Sequence, residues 1–327
     1  MFSMIKRGRK LRKSQNIRDL VQENTLTVND LIQPLFIIEG KNKSEKIPSM
    51  PGIERKSLDL QLNYINLLIN KGIKSIILFP SIDEKKKNSK ATEALNPNGL
   101  IPKAIQKIKK KFPDLILITD IALDPYNSDG HDGILRDNEI LNDETVSILV
   151  KQALLHAKCG ADFVSPSDMM DGRVVRIREI LDKKGFYNTG IISYAAKFAS
   201  CLYGPFRDAL NSEPKKGNKK SYQLNPANSN EALKELIDDE NEGADMLIVK
   251  PASLYLDIIL KAKSSSLIPI VAYQVSGEYS MIKFSAKNKL IDLDSAIFES
   301  LISMKRAGAK LIITYFAEYI ANKLSKI

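Results

Sequence analysis

Short apolar segments recur along the chain, and each is apolar at successive positions rather than at alternate ones. A parallel strand that is covered on both faces has this pattern, whereas a strand with one solvated face alternates apolar and polar residues. The segments are Pro34–Ile38, Ser75–Pro80, Leu115–Ile121, Ala161–Ser165, Gly190–Tyr194, Asp245–Lys250, Pro269–Tyr273 and Lys310–Tyr315. The pattern therefore predicts eight buried parallel strands.

Segments with the period of an amphipathic helix separate most of these strands. They are Leu58–Asn70, Glu144–Lys158, Glu231–Asn241, Ser253–Lys263 and Asp292–Arg306. Asn142 or Asp143 is expected to cap the second of them, because both side chains can accept a hydrogen bond from a first helical turn. Four strands are introduced by a glycine that suits the left-handed end of a helix: Gly72, Gly160, Gly243 and Gly308.

This alternation predicts an α/β fold of the (β/α)8 type, a TIM barrel. A doubly wound open sheet is the alternative, but no G-x-G-x-x-G motif follows the first strand. Residues 1–30 precede the barrel, and we expect them to form an extended N-terminal arm that contacts a neighbouring subunit. Residues 31–327 then form one catalytic barrel domain. Within that domain, residues 204–228 are too long for a plain connection, and we interpret them as an active-site lid.

The composition narrows the class of protein without identifying it. The chain has 327 residues, 43% of them hydrophobic and 27% charged, with a net charge of +10. These values are typical of a soluble globular protein, and no apolar run reaches the roughly 18 residues that a membrane span needs. The excess lysine comes in short runs without interleaved aromatic residues. We therefore expect binding to neither nucleic acid nor membrane.

The N-terminus and the cysteines carry information about the compartment. The first 18 residues contain seven basic residues and no acidic one. They lack the apolar core of a secretory signal, and serine is too sparse to favour a transit peptide. Cys159 and Cys201 are the only cysteines and do not make a disulfide framework, which favours a reducing compartment. We therefore expect a cytoplasmic protein with a basic surface arm.

Polar side chains cluster where the predicted strands stop. The active site of a barrel lies at the carboxyl ends of its strands, so these side chains should converge. One polar residue at a strand end is unremarkable, but seven such ends are hard to explain by packing alone. The seven ends are marked by Phe79-Pro80, Asp120, Ser167-Asp168, Tyr194 with Lys197 shortly after it, Lys250, Ser276 and Tyr315.

Lys250 ends an apolar strand, and a lysine is almost never buried without a partner. Burial lowers the pKa of a lysine and leaves a nucleophilic amine, which is what attack on a ketone requires. A lysine that reaches solvent from the strand end is an equally good interpretation. Lys197 lies one turn beyond the preceding predicted strand, where a helix-surface lysine is the simpler interpretation. If the two ammonium groups were close, each would lower the pKa of the other.

The segment after the third predicted strand is dense in carboxylates, with Asp120, Asp124, Asp129, His131 and Asp132. Carboxylates suit a hard cation such as Mg²⁺ better than zinc, because the loop contains no thiolate. A solvated acidic loop is the alternative. Four further residues could bind a carboxylate, Arg207 through a bidentate fork; the others are Lys219, Ser276 and Tyr315. His156, on an apolar helix face, is expected to be structural.

Seven stretches resemble the porphobilinogen synthase family, whose members are also called δ-aminolevulinic acid dehydratases. They occur in the family's order and span nearly the whole chain. They are SMPGIER (49–55), DIALDPYNSDGHDG (120–133), SPSDMMDGRV (165–174), AAKFASCLYGPFRDA (195–209), DMLIVKPASLYLDII (245–259), AYQVSGEYSMI (272–282) and KRAGAKLIITYFA (305–317).

The resemblance implies an α/β barrel with an N-terminal arm, assembled as a homo-octamer. It implies condensation of two 5-aminolevulinate molecules to porphobilinogen, with loss of two waters, on the route to haem and other tetrapyrroles. Lys250 matches the Schiff-base lysine of the molecule that supplies the propionate side, and Lys197 that of the acetate side. The expected substrate-binding residues are Ser276 and Tyr315 for the first carboxylate, Arg207, Lys219 and Gln223 on the lid for the second, and Asp120 and Ser167 at strand ends.

The resemblance also bears on the metal. Zinc-dependent members carry three cysteines where this chain has Ala122, Asp124 and Asp132. The chain is therefore similar to the aspartate-rich, zinc-independent type, which implies Mg²⁺ and no zinc. Glu235 matches the acid that binds an allosteric Mg²⁺, and Asp124 and Asp132 are candidate ligands of an active-site cation.

The chain departs from the family at the metal loop and the lid. Asp129 stands where the family has histidine, Lys219 where a lid arginine is usual, and Asn218 where an aspartate is usual. An ammonium is a point charge and lacks the bidentate grip of a guanidinium, so these changes bear on substrate affinity and metal preference.

Two other functions are compatible with parts of the pattern. A Schiff-base aldolase that uses one lysine predicts one substrate per site and indifference to Lys197. A basic nucleic-acid-binding protein predicts binding that falls steeply with salt.

Overall fold

The structure, a computed structural model, describes residues 6–324. Its strands are β1 (Leu31–Ile38), β2 (Ser44–Lys46), β3 (Glu54–Ser57), β4 (Ser75–Ser81), β5 (Ile116–Ile121), β6 (Ile134–Arg136), β7 (Glu139–Leu141), β8 (Phe163–Pro166), β9 (Gly190–Lys197), β10 (Met246–Lys250), β11 (Ile270–Gln274) and β12 (Leu311–Thr314).

Eight of these strands form a closed parallel barrel in the order β1, β4, β5, β8, β9, β10, β11, β12. The barrel closes where β12 pairs with β1, with Leu31 opposite Ile312 and Ile32 opposite Ile313. The barrel strands are almost entirely buried, as the unbroken apolar segments predict. The predicted (β/α)8 barrel is confirmed, and each of the eight predicted strands occurs.

The helices are α1 (Gln15–Leu20), α2 (Leu58–Asn70), α3 (Leu100–Lys111), α4 (Asn142–Cys159), α5 (Arg173–Lys183), α6 (Gly204–Leu210), α7 (Ser229–Asn241), α8 (Leu256–Ser265), α9 (Ser276–Lys287), α10 (Leu293–Ala307) and α11 (Ala317–Leu324). The prediction for α2 matches its bounds. Gly160 and Gly308 end α4 and α10 with φ of 104° and 113°, in the left-handed region that only glycine adopts without strain.

Two predictions about helix starts were wrong in detail. Neither Asn142 nor Asp143 caps α4, because the helix already begins at Asn142 and Leu141 takes the cap position without a side-chain hydrogen bond. The helix expected from Ser253 begins at Leu256, after a short 3-10 helix over Ser253–Tyr255.

Strand β9 runs three residues further than the pattern predicted, and this brings Lys197 into the barrel. Opposite β10, Ser193 pairs with Leu247 and Ala196 with Val249, so β9 carries one extra residue at a bulge. After the bulge, Lys197 pairs with Lys250. The interpretation of Lys197 as a helix-surface lysine is therefore wrong, since its side chain is buried at a strand end.

The described part of the N-terminal segment lies apart from the core. Residues 6–25 bury none of their side chains, although they include a 3-10 helix at Gly8–Arg12 and α1. The segment 204–228 begins with α6 and continues without regular structure to α7, across the carboxyl end of the barrel. Within residues 6–324, no helix has the length and apolar character needed to cross a membrane.

Candidate active site

Lys197 and Lys250 are the last residues of neighbouring barrel strands and are opposite one another in the β9–β10 register. Both side chains are about 95% buried. Because successive side chains of a strand alternate between the two faces, paired positions in adjacent strands present their side chains on the same face. The two amines therefore project from the same end of the barrel, where active sites of this fold lie.

Lys250 is surrounded by aromatic rings. Its Nζ lies 4.6–5.1 Å from the ring centres of Tyr194, Tyr203, Phe206 and Tyr273. Burial away from water, together with the nearby charge of Lys197, lowers the pKa of Lys250 to about 7. A large share of the amine is then neutral and nucleophilic near neutral pH.

Lys197 has a different, polar environment. Its Nζ donates a hydrogen bond to the backbone oxygen of Ser167 and lies 3.4 Å from Asp132 Oδ1. The other oxygen of Asp132 is 2.9 Å from Nζ of Lys219. Burial alone would raise the pKa of Asp132, but the two ammonium groups hold it well below its usual range. The buried carboxylate of Asp132 thus links Lys197 to Lys219 on the lid.

Lys219 is buried between two carboxylates of the aspartate-rich loop. Its Nζ is 2.9 Å from Asp132 and 3.4 Å from Asp124. Burial would lower the pKa of Lys219, but the charges of Asp124 and Asp132 outweigh it and the pKa is raised. The ammonium therefore stands where a cation between the two aspartates would bind.

Asp120 makes no ion pair within residues 6–324, but its charge interacts with those of Lys250 and Lys197. Burial, followed by repulsion from Asp124, raises the pKa of Asp120 to about 7, while a hydrogen bond with Ser167 and the charges of Lys250 and Lys197 oppose the shift. A carboxyl group with this pKa can both give and take a proton near neutral pH.

The lid covers these groups closely. His131 makes two contacts with it, one ring nitrogen lying 2.8 Å from the backbone oxygen of Lys216 and the other 3.2 Å from the Tyr222 hydroxyl. The cavity between lid and lysines has a volume of about 20 Å³, room for roughly one water molecule. The predicted site residues that line it are Lys197, Lys250, Asp120, Asp124, Asp132, Ser167, Arg207, Lys219 and Gln223.

Ser276 and Tyr315 do not line this cavity but are buried next to its aromatic wall. The Tyr315 hydroxyl lies 3.2 Å from that of Tyr273, whose ring contacts Lys250. Ser276 begins α9, and its hydroxyl is 3.4 Å from the backbone oxygen of Leu202. Both residues therefore lie on the Lys250 side of the site.

Glu278 was not anticipated from the sequence, although it supports the Lys250 side of the site. Its carboxylate accepts hydrogen bonds from the backbone of Ser253 and Val275, both at 2.6 Å, and from Ala252 at 3.5 Å. It thereby joins the loop after β10 to the loop after β11. The motif Q-V-S-G-E-Y contains this glutamate, but its partners are distant in sequence.

Glu235 lies in a second cavity on the outer side of the lid. The cavity has a volume of about 480 Å³, and Glu231, Asp171 and Gln223 also line it. Burial, followed by the charge of Asp239, raises the pKa of Glu235. Gln223 borders both cavities, so Glu235 and the lysines are separated by the lid segment itself.

The side chains around Glu235, and those around Asp124 and Asp132, differ in how well they could bind a metal ion. Across residues 6–324, no three His, Cys, Asp or Glu side chains are grouped as a metal ion requires. Asp124 and Asp132 share the ammonium of Lys219, so these two carboxylates fit an organic cation rather than a metal. Glu235 makes no such ion pair with any residue from 6 to 324. Mg²⁺ usually keeps several waters and binds through one or two carboxylates. Glu235 and the neighbouring acidic residues of its cavity can supply these carboxylates.

Comparison with known proteins shows the family of this chain. Residues 5–323 match the family model described as delta-aminolevulinic acid dehydratase. A delta-aminolevulinic acid dehydratase of Bradyrhizobium diazoefficiens is 49% identical over 319 residues, covering 97% of this chain and 90% of that protein. That of Chlamydia pneumoniae is 49% identical over 323 residues, covering 99% and 97%.

A solved structure is similar over the whole chain. It is the crystal structure of delta-aminolevulinic acid dehydratase (porphobilinogen synthase) from Toxoplasma gondii ME49 in complex with the reaction product porphobilinogen. It has a TM-score of 0.98 and 46% sequence identity, and covers 100% of this chain and 93% of that one.

Proposed function

This chain belongs to the delta-aminolevulinic acid dehydratase family, and from that premise we propose roles for the groups around its two lysines. It is an enzyme that condenses two molecules of 5-aminolevulinate to porphobilinogen and releases two waters, in tetrapyrrole biosynthesis. Its substrate is thus a small keto acid that carries one carboxylate and one amine.

Both lysines form Schiff bases with substrate. The pairing of Lys197 with Lys250 at the carboxyl ends of β9 and β10 is the observation that carries this proposal. The lone pair of the neutral Lys250 amine attacks the keto carbon, the carbonyl oxygen leaves as water, and a carbon–nitrogen double bond remains. Lys197 forms a Schiff base with the second molecule in the same way, through its own amine.

The carboxylates of the two substrates are held on opposite sides. On the Lys250 side, Ser276 and Tyr315 are the hydroxyl groups that can bind the first. On the lid, Arg207, Lys219 and Gln223 can bind the second, and Lys219 exchanges its aspartate partners for that carboxylate. A cavity of about 20 Å³ cannot hold two substrate molecules, so the lid opens to admit them.

Asp120 transfers protons between the substrates and water. Its pKa of about 7 suits a group that is protonated in one step and ionised in the next. Ser167 hydrogen-bonds it and fixes its orientation.

The roles of the lysines are tested by trapping with borohydride. With 5-aminolevulinate present, reduction should attach substrate to Lys250 and to Lys197, as located by mass spectrometry of peptides. Lys250→Ala should abolish porphobilinogen formation in the colorimetric assay, because among residues 6–324 only the Lys250 amine lies among these aromatic rings. Lys287→Ala removes an exposed lysine at the end of α9 and should leave the assay unchanged. Normal product formation by Lys250→Ala would refute the proposed role.

We propose that the enzyme uses Mg²⁺ and does not require zinc. Ala122, Asp124 and Asp132 provide no thiolate, and oxygen ligands favour a hard cation. Glu235 is the proposed allosteric ligand, with Glu231 and Asp171 near the same cavity. No step of the reaction is assigned to a metal at Asp124 and Asp132, because the ammonium groups of Lys219 and Lys197 already pair with them.

Mg²⁺ should stimulate the activity, and a zinc-selective chelator should leave it unchanged. Glu235→Gln removes the charge and retains the shape, so stimulation by Mg²⁺ should disappear while the activity without Mg²⁺ persists. Glu179→Gln, on the exposed face of α5, is the matched control. Loss of all activity with the zinc chelator, or full stimulation of Glu235→Gln, would overturn this assignment.

We also propose a homo-octamer in the cytoplasm. The N-terminal arm, residues 1–30, exposes Leu11 and Leu20 by 56% and 82% of their surface within its described part, which fits a segment that packs on another subunit. Both cysteines are free thiols, as is usual in a reducing compartment. Microscopy of a fluorescent fusion of the whole chain tests the proposed cytoplasmic location.

A further inference from the structure

The aromatic rings around Lys250 form a closed cage that comes from four separate elements. Tyr194 belongs to β9, Tyr203 to the 3-10 helix before α6, Phe206 to α6 and Tyr273 to β11. Their ring centres lie 5.0, 5.1, 5.0 and 4.6 Å from Nζ of Lys250. Four rings at this range around one nitrogen go well beyond a single cation–π contact.

The rings are held in place by contacts that do not involve the amine of Lys250, although the Tyr203 hydroxyl also lies 3.2 Å from the backbone oxygen of that residue. The Tyr203 hydroxyl donates a 2.7 Å hydrogen bond to the backbone oxygen of Phe198. The hydroxyl groups of Tyr273 and Tyr315 are hydrogen-bonded to each other at 3.2 Å. Phe206 packs edge-on against Phe79 at 5.1 Å between ring centres. The cage is thus built before any substrate arrives, and the base of the lid contributes one wall.

The cage presents the electron-rich faces of its rings to Nζ of Lys250. In the described structure no hydrogen bond or ion pair reaches Nζ of Lys250, whereas Lys197 has Ser167 and Asp132. An ammonium has three N–H groups, and burying them without acceptors is costly. An iminium has one N–H and spreads its charge onto carbon, so aromatic faces can compensate for most of its lost hydration.

We propose that the cage of Tyr194, Tyr203, Phe206 and Tyr273 selects the iminium form of Lys250 over its ammonium form and so drives Schiff-base formation. The inference rests on the proposed role of Lys250 as a Schiff-base lysine. The neutral amine, a ketone and one proton combine to give the iminium and one water, and the cage stabilises only the cationic product. The ligand class is a ketone whose carbonyl carbon reaches Nζ.

Tyr194 allows the role of the ring to be separated from that of its hydroxyl. The hydroxyl is buried without a hydrogen-bond partner among residues 6–324, so Tyr194→Phe retains the aromatic face and removes nothing that is bonded. Tyr194→Leu keeps an apolar side chain and removes the face. Phe206→Leu makes the same change on another element, where no hydroxyl is involved.

The experiment measures the rate at which borohydride attaches levulinate, a keto acid without an amine, to Lys250 of the full chain at pH 8. Peptide mass spectrometry distinguishes Lys250 from Lys197, and circular dichroism verifies that each variant is folded. Tyr194→Leu and Phe206→Leu should each slow labelling of Lys250 roughly tenfold, about 1.4 kcal/mol. Tyr194→Phe should stay within about twofold of the original chain.

Each of the other outcomes would contradict the proposed role of the cage. Labelling of both leucine variants at the original rate would show that the rings do not bind the cation. Equal slowing in Tyr194→Phe and Tyr194→Leu would assign the effect to the hydroxyl. Absence of any adduct on Lys250 in the original chain would overturn the Schiff-base role together with the cage, whereas a normal adduct with no difference among variants would overturn the cage alone.

Discussion

Lys219 joins the lid to the floor of the site by two buried ion pairs, at 2.9 Å to Asp132 and 3.4 Å to Asp124. All three side chains are more than 90% buried. Burying charges is costly, and breaking such a group by removing one partner leaves the others without compensation. This makes Lys219 both a stabilising residue and a latch on the segment that must open for substrate.

Replacement of Lys219 by methionine should therefore weaken the fold and free the lid. We expect the free energy of unfolding to fall by roughly 3 kcal/mol, as measured by urea unfolding. Cleavage within residues 211–228 by a nonspecific protease should accelerate, because the lid loses its tie to Asp124 and Asp132. Lys219→Arg keeps the charge and should retain most of both properties. Unchanged unfolding and proteolysis in Lys219→Met would contradict the latch.

Single residues of the site differ in how far the sequence can predict them. Lys250 could be placed because it ends an apolar strand, and the family motifs supplied the lid and carboxylate groups. The aromatic cage could not be found in this way. Tyr194, Tyr203, Phe206 and Tyr273 are ordinary apolar residues in their own segments, and only the closing of the barrel and the lid brings their rings to one nitrogen.

Helix α4 carries a buried polar contact that holds it against strand β5. One ring nitrogen of His156 lies 3.0 Å from the Thr119 hydroxyl, and the other has no hydrogen-bond partner in the described residues. Burial lowers the pKa of His156 from 6.5 to about 3. The structural role expected for this histidine is consistent with that position.

The stability contributed by this contact should depend on pH. Between pH 3 and 6.5 the unfolded chain binds a proton at His156 and the folded chain does not, so the free energy of unfolding rises with pH and falls on acidification. His156→Gln cannot titrate there. From pH 7.5 to 5.5 the original chain should therefore lose about 1.4 kcal/mol more than the variant. Parallel losses in urea unfolding would show that His156 is protonated in the folded state.

Strand β9 shows what the hydrophobic pattern predicts about elements and what it misses. Its apolar start, Gly190–Tyr194, was predicted, but Ala195 and Ala196 have little strand preference and gave no signal. Pairing with β10 and the bulge between Ser193 and Ala196 extend the strand to Lys197. The existence of elements followed from local periodicity, whereas their ends depended on tertiary pairing.

At the scale of the whole molecule, the barrel accounts for residues from about 26 to 321, and the arm does not share its core. Within the described part of the chain, Leu26 is the first buried residue, and Ala321 lies in α11, which packs against β1. The described arm residues 6–25 are too few and too exposed to be stable alone, because a short isolated helix is marginal in water. The proposed octamer would supply a second surface on which they can pack.

Introduction of a charge at the exposed apolar residue Leu20 of the arm should reveal this surface. Leu20 ends α1 with 82% of its surface exposed, so Leu20→Glu adds no strain to the barrel itself. If the arm packs on a neighbour, burying a carboxylate there is unfavourable and the assembly dissociates. Light scattering should give eight chain masses for the original protein and a smaller multiple for the variant. Gln22→Glu adds the same charge at a polar arm position and should remain octameric. An unchanged mass for Leu20→Glu would mean that this face of the arm makes no subunit contact.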